Sequence, residues 1–396
     1  MQSANLFDPL TLPCGMVLKC RIAKSAMSDS LGDGTGHPTE DQIRLYQRWA
    51  KGGTALSIIG EVQGHPGYAE KPGNLLLNPN ADPAPFRELA REGSADDTRI
   101  WPQLGHAGAL AHAPTSTPRG PSALDLPGLR CAEMSLAEIR RVPEDFARTT
   151  RLARDYGFSG VQIHAAHGFL LSQFLSPLFN RRTDEYGGPI ENRMRLLMET
   201  VNACRQAAGP DFAIAVKLNA SDMLEGGLEE ADSLAVVAAL DGTSIDLLDI
   251  SGGTYFPGAR SASDGGGKGP YFLDFARRAR SETNKPLMLT GGFKTYQQVE
   301  ETLADGIADI AGLARAMVLN PALPDDWRAG RSLVPEFPRF ASAPEGGITA
   351  WYTMRLTEIG QDRETSEIGD LDQALRDYET RDAERSEIWS RHFGHR

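Results

Sequence analysis

The chain has 396 residues, 40% of them hydrophobic and 24% charged, the profile of a soluble globular protein with a sizeable core. Its formal net charge of −12 argues against nucleic acid or an anionic membrane as a partner, since both reward a basic surface. The four cysteines, Cys14, Cys20, Cys131 and Cys204, form no CxxC pair, so they offer neither a disulfide framework nor a zinc or iron–sulfur site. With no charged-then-apolar leader and no apolar run long enough to span a bilayer, a reducing cytoplasm is the expected location.

Strand-like runs alternate with helix-like ones up to about Leu319. The strand candidates are Arg21–Met27, Leu56–Gly60, Arg99–Leu104, Gly160–His164, Ala213–Leu218, Asp246–Ile250, Pro286–Thr290 and Asp309–Gly312. Most are continuous apolar runs, as parallel strands buried on both faces should be. Helix spacing covers Leu136–Tyr156, Asn192–Ala208, Glu229–Leu240 and Tyr296–Ala304, with glycine closing the helices at Gly157, Gly209 and Gly306. Eight strand–helix units over this length predict an α/β protein, a (β/α)8 TIM barrel over residues 1–340. The Pro-, Gly- and Ser-rich stretch from Gly105 to Ser135 is then a loop at the catalytic face. After several prolines, residues 341–396 read as a charged, helical C-terminal extension. Its apolar cluster of Ile348, Trp351, Tyr352, Met354 and Leu356 favours an arm on a neighbouring subunit, hence a homo-oligomer.

In such a barrel the chemistry comes from the C-terminal ends of different strands, so these ends are read together. The first ends Lys24-Ser25-Ala26-Met27-Ser28, the second Gly60-Glu61-Val62 and the third Gln103-Leu104-Gly105-His106. Alone, each is ordinary turn chemistry. The fourth runs into His164-Ala-Ala-His167-Gly168-Phe169. Two imidazoles at one strand end can each donate a hydrogen bond to a single oxygen and so polarise a carbonyl or nitro group. Metal binding is the weaker alternative, because no third ligand follows at suitable spacing and no metal is expected. On the fifth strand, Lys217 is either the partner of a barrel carboxylate or a Schiff-base nucleophile. The sixth ends Asp249-Ile250-Ser251-Gly252-Gly253-Thr254-Tyr255, where the Tyr255 phenol either reaches the substrate or packs under its loop. Gly291 and Gly292 after the seventh strand, with Ala314 and Arg315 after the eighth, form the phosphate site common to TIM barrels.

Over residues 5 to 320 these motifs closely resemble the old yellow enzyme family, the NADH:flavin oxidoreductases or FMN-dependent ene-reductases. The resemblance implies one non-covalent FMN and NADH or NADPH as electron donor. It places Ser25, Ala26, Met27 and the Val62 amide at the flavin edge, Gln103 on its pyrimidine side and Lys217 beside N1 and O2. Gly291, Gly292, Ala314 and Arg315 fall at the phosphate. His164 and His167 would hold the oxygen of an electron-poor small-molecule acceptor while flavin N5 delivers a hydride. Two positions depart from the pattern. Ser28 stands where some members carry a redox-tuning cysteine, and Phe169 stands where the family normally has a proton-donating tyrosine. The proton for the product would then come from Tyr255 or water, or the acceptor would be a nitro compound or quinone. Rival readings are a flavin-dependent isomerase or desaturase, and a non-flavin lyase with Lys217 as Schiff base.

Overall fold

The computed structural model describes residues 5–256, 259, 269–340, 344, 346–364 and 369–394. Eight parallel strands close into a barrel: β1 (Ile22–Lys24), β2 (Leu56–Gln63), β3 (Arg99–Gly105), β4 (Gly160–Ala165), β5 (Ala213–Asn219), β6 (Leu247–Ser251), β7 (Leu287–Thr290) and β8 (Ile310–Leu313). Each pairs with its sequence neighbours, and β8 returns to β1 through Gly312 opposite Ala23 and Leu313 opposite Lys24. Every residue of these strands except Arg99 is buried, which is why they read as unbroken apolar runs rather than alternating ones. The predicted strands lie within a few residues of those observed. The clearest difference is β2, which continues through Gln63 after its register against β3 shifts between Ile59 and Val62.

Around the barrel run α1 (Glu40–Lys51), α2 (Pro83–Glu92), α3 (Leu136–Asp155), α4 (Arg195–Ala208), α5 (Glu230–Asp241), α6 (Leu273–Glu282) and α7 (Tyr296–Ala304). Their starts follow capping chemistry. Ser135 and Glu138 form a reciprocal capping box on α3, and the Thr39 and Thr295 side chains cap α1 and α7. The segment expected as a plain loop, Gly105 to Ser135, contains a small sheet of Arg119–Gly120, Leu124–Leu126 and Leu129–Glu133. Strands this short carry too few residues to leave a periodic signal.

Two further helices follow, α8 (Gly347–Gly360) and α9 (Leu371–Phe393). Position 341, where the extension was expected to begin, lies outside the described residues. Helix α8 packs on α1: Arg44 Nε donates to the Gly360 carbonyl at 2.7 Å, and Gln361 Nε2 to Asp41 at 2.6 Å. A Cβ on Gly360 would sit 2.4 Å from the Asp41 carbonyl oxygen, so only glycine permits this approach. Trp351, Tyr352, Leu356 and Ile359 join the same apolar core as the barrel. The cluster that suggested an intersubunit arm is therefore covered largely by its own chain, with Ile348 left at the surface. Helix α9 lies over the loops that follow β1, β2 and β3. Arg385 donates to the Ser30 carbonyl, Asp382 accepts from Ser30 Oγ at 3.4 Å and pairs with Lys71, and His112 meets Ser386 at 3.2 Å. Trp389 is fully buried beside Ala69 and Leu76.

Candidate active site

The strand ends meet in a buried polar floor. Lys217 on β5 and Asp249 on β6 are almost wholly inaccessible and form an ion pair of 2.9 Å. A buried carboxylate must satisfy its remaining lone pairs. Asp249 does so by accepting from Gln162 Nε2 at 3.0 Å and Thr290 Oγ1 at 2.6 Å. The bonds continue outward: Gln103 Nε2 donates to Gln162 Oε1 at 2.7 Å, and the Ser25 hydroxyl lies 3.0 Å from that of Thr290. Gln103 and Lys217 are thus held by partners on neighbouring strands. Ser25 is more deeply committed than the sequence suggested, because its hydroxyl meets Thr290 and its N–H donates to Leu313 O. Ala26, Met27 and Ser28 remain partly open beside it.

At β2 the shifted register changes which backbone is free. Val62 is aligned with both Leu104 and Leu75, whereas Gly60 and Glu61 fall in the irregular stretch. Glu61 takes φ +60°, a left-handed conformation uncommon for a residue with a side chain. Its carboxylate is 3.2 Å from His164 Nδ1.

The histidine pair sits at the end of β4. His164 Nε2 and His167 Nδ1 are 3.1 Å apart, and His167 Nε2 lies 2.9 Å from Ser251 Oγ. His167 also adopts φ +60°, with its N–H fixed by Asn219 Oδ1 at 3.1 Å. Burial pushes His164 down to about 3, with the Lys217 charge adding to the effect and Asp249 opposing it. Burial, His164 and then Lys217 hold His167 well below the usual histidine range. Both rings are therefore neutral at physiological pH, and across the 3.1 Å contact one donates while the other accepts, so an oxygen bound between them takes the place of that bond.

Phe169 is buried with its ring 4.8 Å from that of His164, edge to face, and packs with Ala107 and Ala111. No hydroxyl stands at that position. The Tyr255 ring centroid is 5.8 Å from both His167 and Phe169, so the structure brings this tyrosine to the pair. Tyr255 is 64% exposed; desolvation, then the charges of Glu70 and Glu61, raise its phenol pKa, with Arg315 opposing.

Around the mouth from the pair lies the glycine-rich end. Gly291 and Gly292 have φ +113° and +88°, conformations natural to glycine. A Cβ on Gly312 would come within 2.6 Å of Thr290, Ser25 and Met288, so the backbone can pass only without one. After Ala314, Arg315 opens a short helix, pairs with no carboxylate among the described residues and lies 5.6 Å over the Tyr352 ring. Close-approaching backbone beside an uncommitted guanidinium suits a phosphate. With Gln103 and Lys217 on the floor, these residues fit FMN. Among the described residues, no three His, Cys, Asp or Glu side chains gather as a metal site, and no helix is long and apolar enough to cross a membrane.

Sequence reasoning assigned no role to Glu61, Gln162, Ser251, Asp249, Thr290 or Asn219, all of which contact the named residues. Glu61, Asp249 and Ser251 stand in the quoted strand ends and Thr290 closes the seventh strand, but their partners lie on other strands.

Known proteins resemble this chain along most of its length. The family model described as NADH:flavin oxidoreductase / NADH oxidase matches residues 5–333. An NADH-dependent flavin oxidoreductase from Hypocrea jecorina is 32% identical over 80% of this chain and 87% of its own. One of the same name from Neonectria sp. is 35% identical over 82% of this chain, which spans only 47% of that relative's length. Morphinone reductase superposes with a TM-score of 0.72 at 25% identity, covering 84% of this chain and 91% of its own. The old yellow enzyme homologue from Zymomonas mobilis, at 24% identity and a TM-score of 0.75 over 88% of this chain and 99% of its own, shares the fold. The chain belongs to the NADH:flavin oxidoreductase / NADH oxidase family, as an FMN-dependent enzyme of the old yellow enzyme type.

Proposed function

We propose that this enzyme uses NADH or NADPH to reduce an electron-poor small molecule whose activating oxygen is held by His164 and His167. The observation that carries the reading is that two neutral imidazoles turn neighbouring nitrogens, His164 Nε2 and His167 Nδ1, to one place beside the Lys217 end of the floor, where an oxygen can replace the bond between them. Two N–H groups converging on one oxygen stabilise the negative charge that develops there during reduction. When bound, FMN supplies the hydride. Lys217, fixed by Asp249, offers a cation toward the flavin, and Gln103, fixed by Gln162, offers an amide. The Schiff-base alternative gains nothing from a lysine ion-paired to a wholly buried carboxylate.

Proton delivery falls to Tyr255 in this reading. Phe169 cannot give one, and Tyr255 is the phenol next to the pair, with a raised pKa that keeps it protonated. For a nitro compound or quinone the same oxygen contacts serve without a carbon-bound proton. Cinnamaldehyde, a nitroaromatic and a benzoquinone can each be mixed anaerobically with NADPH-reduced enzyme while flavin reoxidation is followed. At least one should reoxidise the wild type rapidly, and His164→Ala/His167→Ala should be slower by about 10²-fold or more with that acceptor. Equal rates in both proteins would refute the role given to the pair. A fall confined to cinnamaldehyde in Tyr255→Phe would single out the phenol as its proton source.

A further inference from the structure

A neutral imidazole has one hydrogen and two nitrogens, so the bond made at one nitrogen decides what the other can do. For one oxygen to receive hydrogens from both inner nitrogens, His164 Nε2 and His167 Nδ1, both outer nitrogens must be acceptors. His167 Nε2 has the Ser251 hydroxyl at 2.9 Å, which can donate. His164 Nδ1 is buried and, among the described residues, receives no hydrogen bond from a backbone or amide donor; the polar atom that faces it is Glu61 Oε1 at 3.2 Å, which can satisfy an acceptor there only by carrying a proton. We propose that Glu61 and Ser251 are positioning residues that fix the tautomers of the pair, Glu61 acting as a neutral carboxyl that donates to His164 Nδ1. This rests on the reading of the pair as the oxygen anchor.

Three features of the backbone serve that placement. The shifted register of β2 interrupts regular pairing with β3 at Glu61, and the residue accepts a left-handed φ of +60°. Such strain persists only where the surroundings impose it. Gly105 on β3 supplies the room, because a Cβ there would lie 2.9 Å from Glu61 Oε2. The side chain is 5% exposed.

Charge agrees with a neutral carboxyl. Burial pushes Glu61 up to about 8, against the lowering effects of Lys217 on β5 and the Gln63 amide on its own strand. Glu70, on the loop after β2, is itself raised to about 8 by burial and by Glu61, and Tyr255 feels the Glu61 charge from the loop after β6. His164 faces Glu61 from β4, and Asp249 acts on His164 from β6. As pH rises through about 8, Glu61 becomes an acceptor. The hydrogen of His164 then moves to Nδ1, Nε2 is left bare, and the oxygen anchor loses one of its two donors.

The test uses the FMN-loaded full chain and pentafluorophenol, which stays ionised from about pH 6.5 to about pH 9.5, so that only the protein titrates. In the wild type, Kd should be flat at low pH, rise through the Glu61 transition and level off about tenfold weaker, the level of Glu61→Leu. Glu61→Gln, whose amide can donate at every pH, should bind with a flat profile. Glu61→Leu should bind about tenfold more weakly throughout, because Nδ1 loses its donor. Nitrogen NMR of histidine-labelled wild type saturated with pentafluorophenol should show the His164 hydrogen on Nε2 at neutral pH and on Nδ1 at alkaline pH. That measurement decides the matter even if a variant fails to fold. A flat wild-type profile, an alkaline loss retained in Glu61→Gln, or an Nδ1–H form of His164 in that complex at neutral pH would overturn the proposal. Absence of pentafluorophenol binding, or binding that survives removal of both histidines, would instead overturn the oxygen-anchor reading.

Discussion

The floor of the site and the helix that covers the loops around it are built in opposite ways. On the floor, Asp249 receives hydrogen bonds from Lys217, Gln162 and Thr290, every one of them on a barrel strand. Helix α9 instead touches the loops after β1, β2 and β3 through separate contacts from Asp382, Arg385 and Ser386, plus the buried Trp389. Several of its polar groups, Arg381 Nε and Nη2 and Trp389 Nε1, are buried without hydrogen-bond partners. A fully paired network in a low-dielectric interior is rigid and preorganised, whereas an incompletely paired one is where a fold opens first. The difference assigns the chemistry's fixed geometry to the strands and local motion to the cover.

If the floor is a single network, its centre should be the most costly place to cut. Asp249→Ala leaves Lys217 buried without its carboxylate and should lower unfolding stability by about 3–5 kcal/mol. Chemical denaturation would measure this, and FMN retention on gel filtration should fall in parallel. A loss under about 1 kcal/mol would show that the ion pair is dispensable, against the usual cost of an orphaned buried charge.

Phe169 packs between His164 and the loop after β3, belonging to neither region, and it sharpens the comparison. If a proton donor is what limits enone reduction, Phe169→Tyr should accelerate flavin reoxidation by an enone by about 10²–10⁴-fold. Flavin reduction by the nicotinamide needs no proton from this position and should change little. Stopped-flow kinetics separates the two half-reactions. No acceleration would mean that Tyr255 already supplies the proton, and Tyr255→Phe would then be the damaging change.

The cover should respond more weakly and only locally. Asp382→Asn removes the carboxylate paired with Lys71 and weakens the bond from Ser30, a loss of about 1–3 kcal/mol. Amide exchange should quicken across α9 while the barrel strands keep their protection. Equal quickening in β4 and β5 would erase the distinction between the two regions.

Much of the barrel was legible because parallel strands covered on both faces have an unmistakable composition. Ile58-Ile59, Ala215-Val216 and Leu287-Met288-Leu289 can hardly be anything else. The histidine pair was legible because its members lie close in sequence at one strand end. The floor was only half legible. Lys217 could be named, but its alternative partners could not be ranked until Asp249, Gln162 and Thr290 were brought together by strands far apart in the chain. Glu61 was quoted without a task, since a register shift is a relation between two strands and leaves no mark on either one. Helix α8 was read as part of an extension because a proline-rich stretch separates it from β8. Its packing on α1 depends on Gly360, a residue that by itself signals nothing. In the Gly105–Ser135 segment, strands of two to five residues fell below the length that periodicity needs.

The oxygen anchor is the centre of this account, and ligand binding tests it without turnover. FMN-loaded wild type titrated with p-chlorophenol should develop a long-wavelength charge-transfer band as the phenolate oxygen settles between His164 and His167 above the flavin. The His164→Ala/His167→Ala variant should retain FMN, show no such band, and bind at least about 10²-fold more weakly. An unchanged band and affinity in that variant would contradict the account.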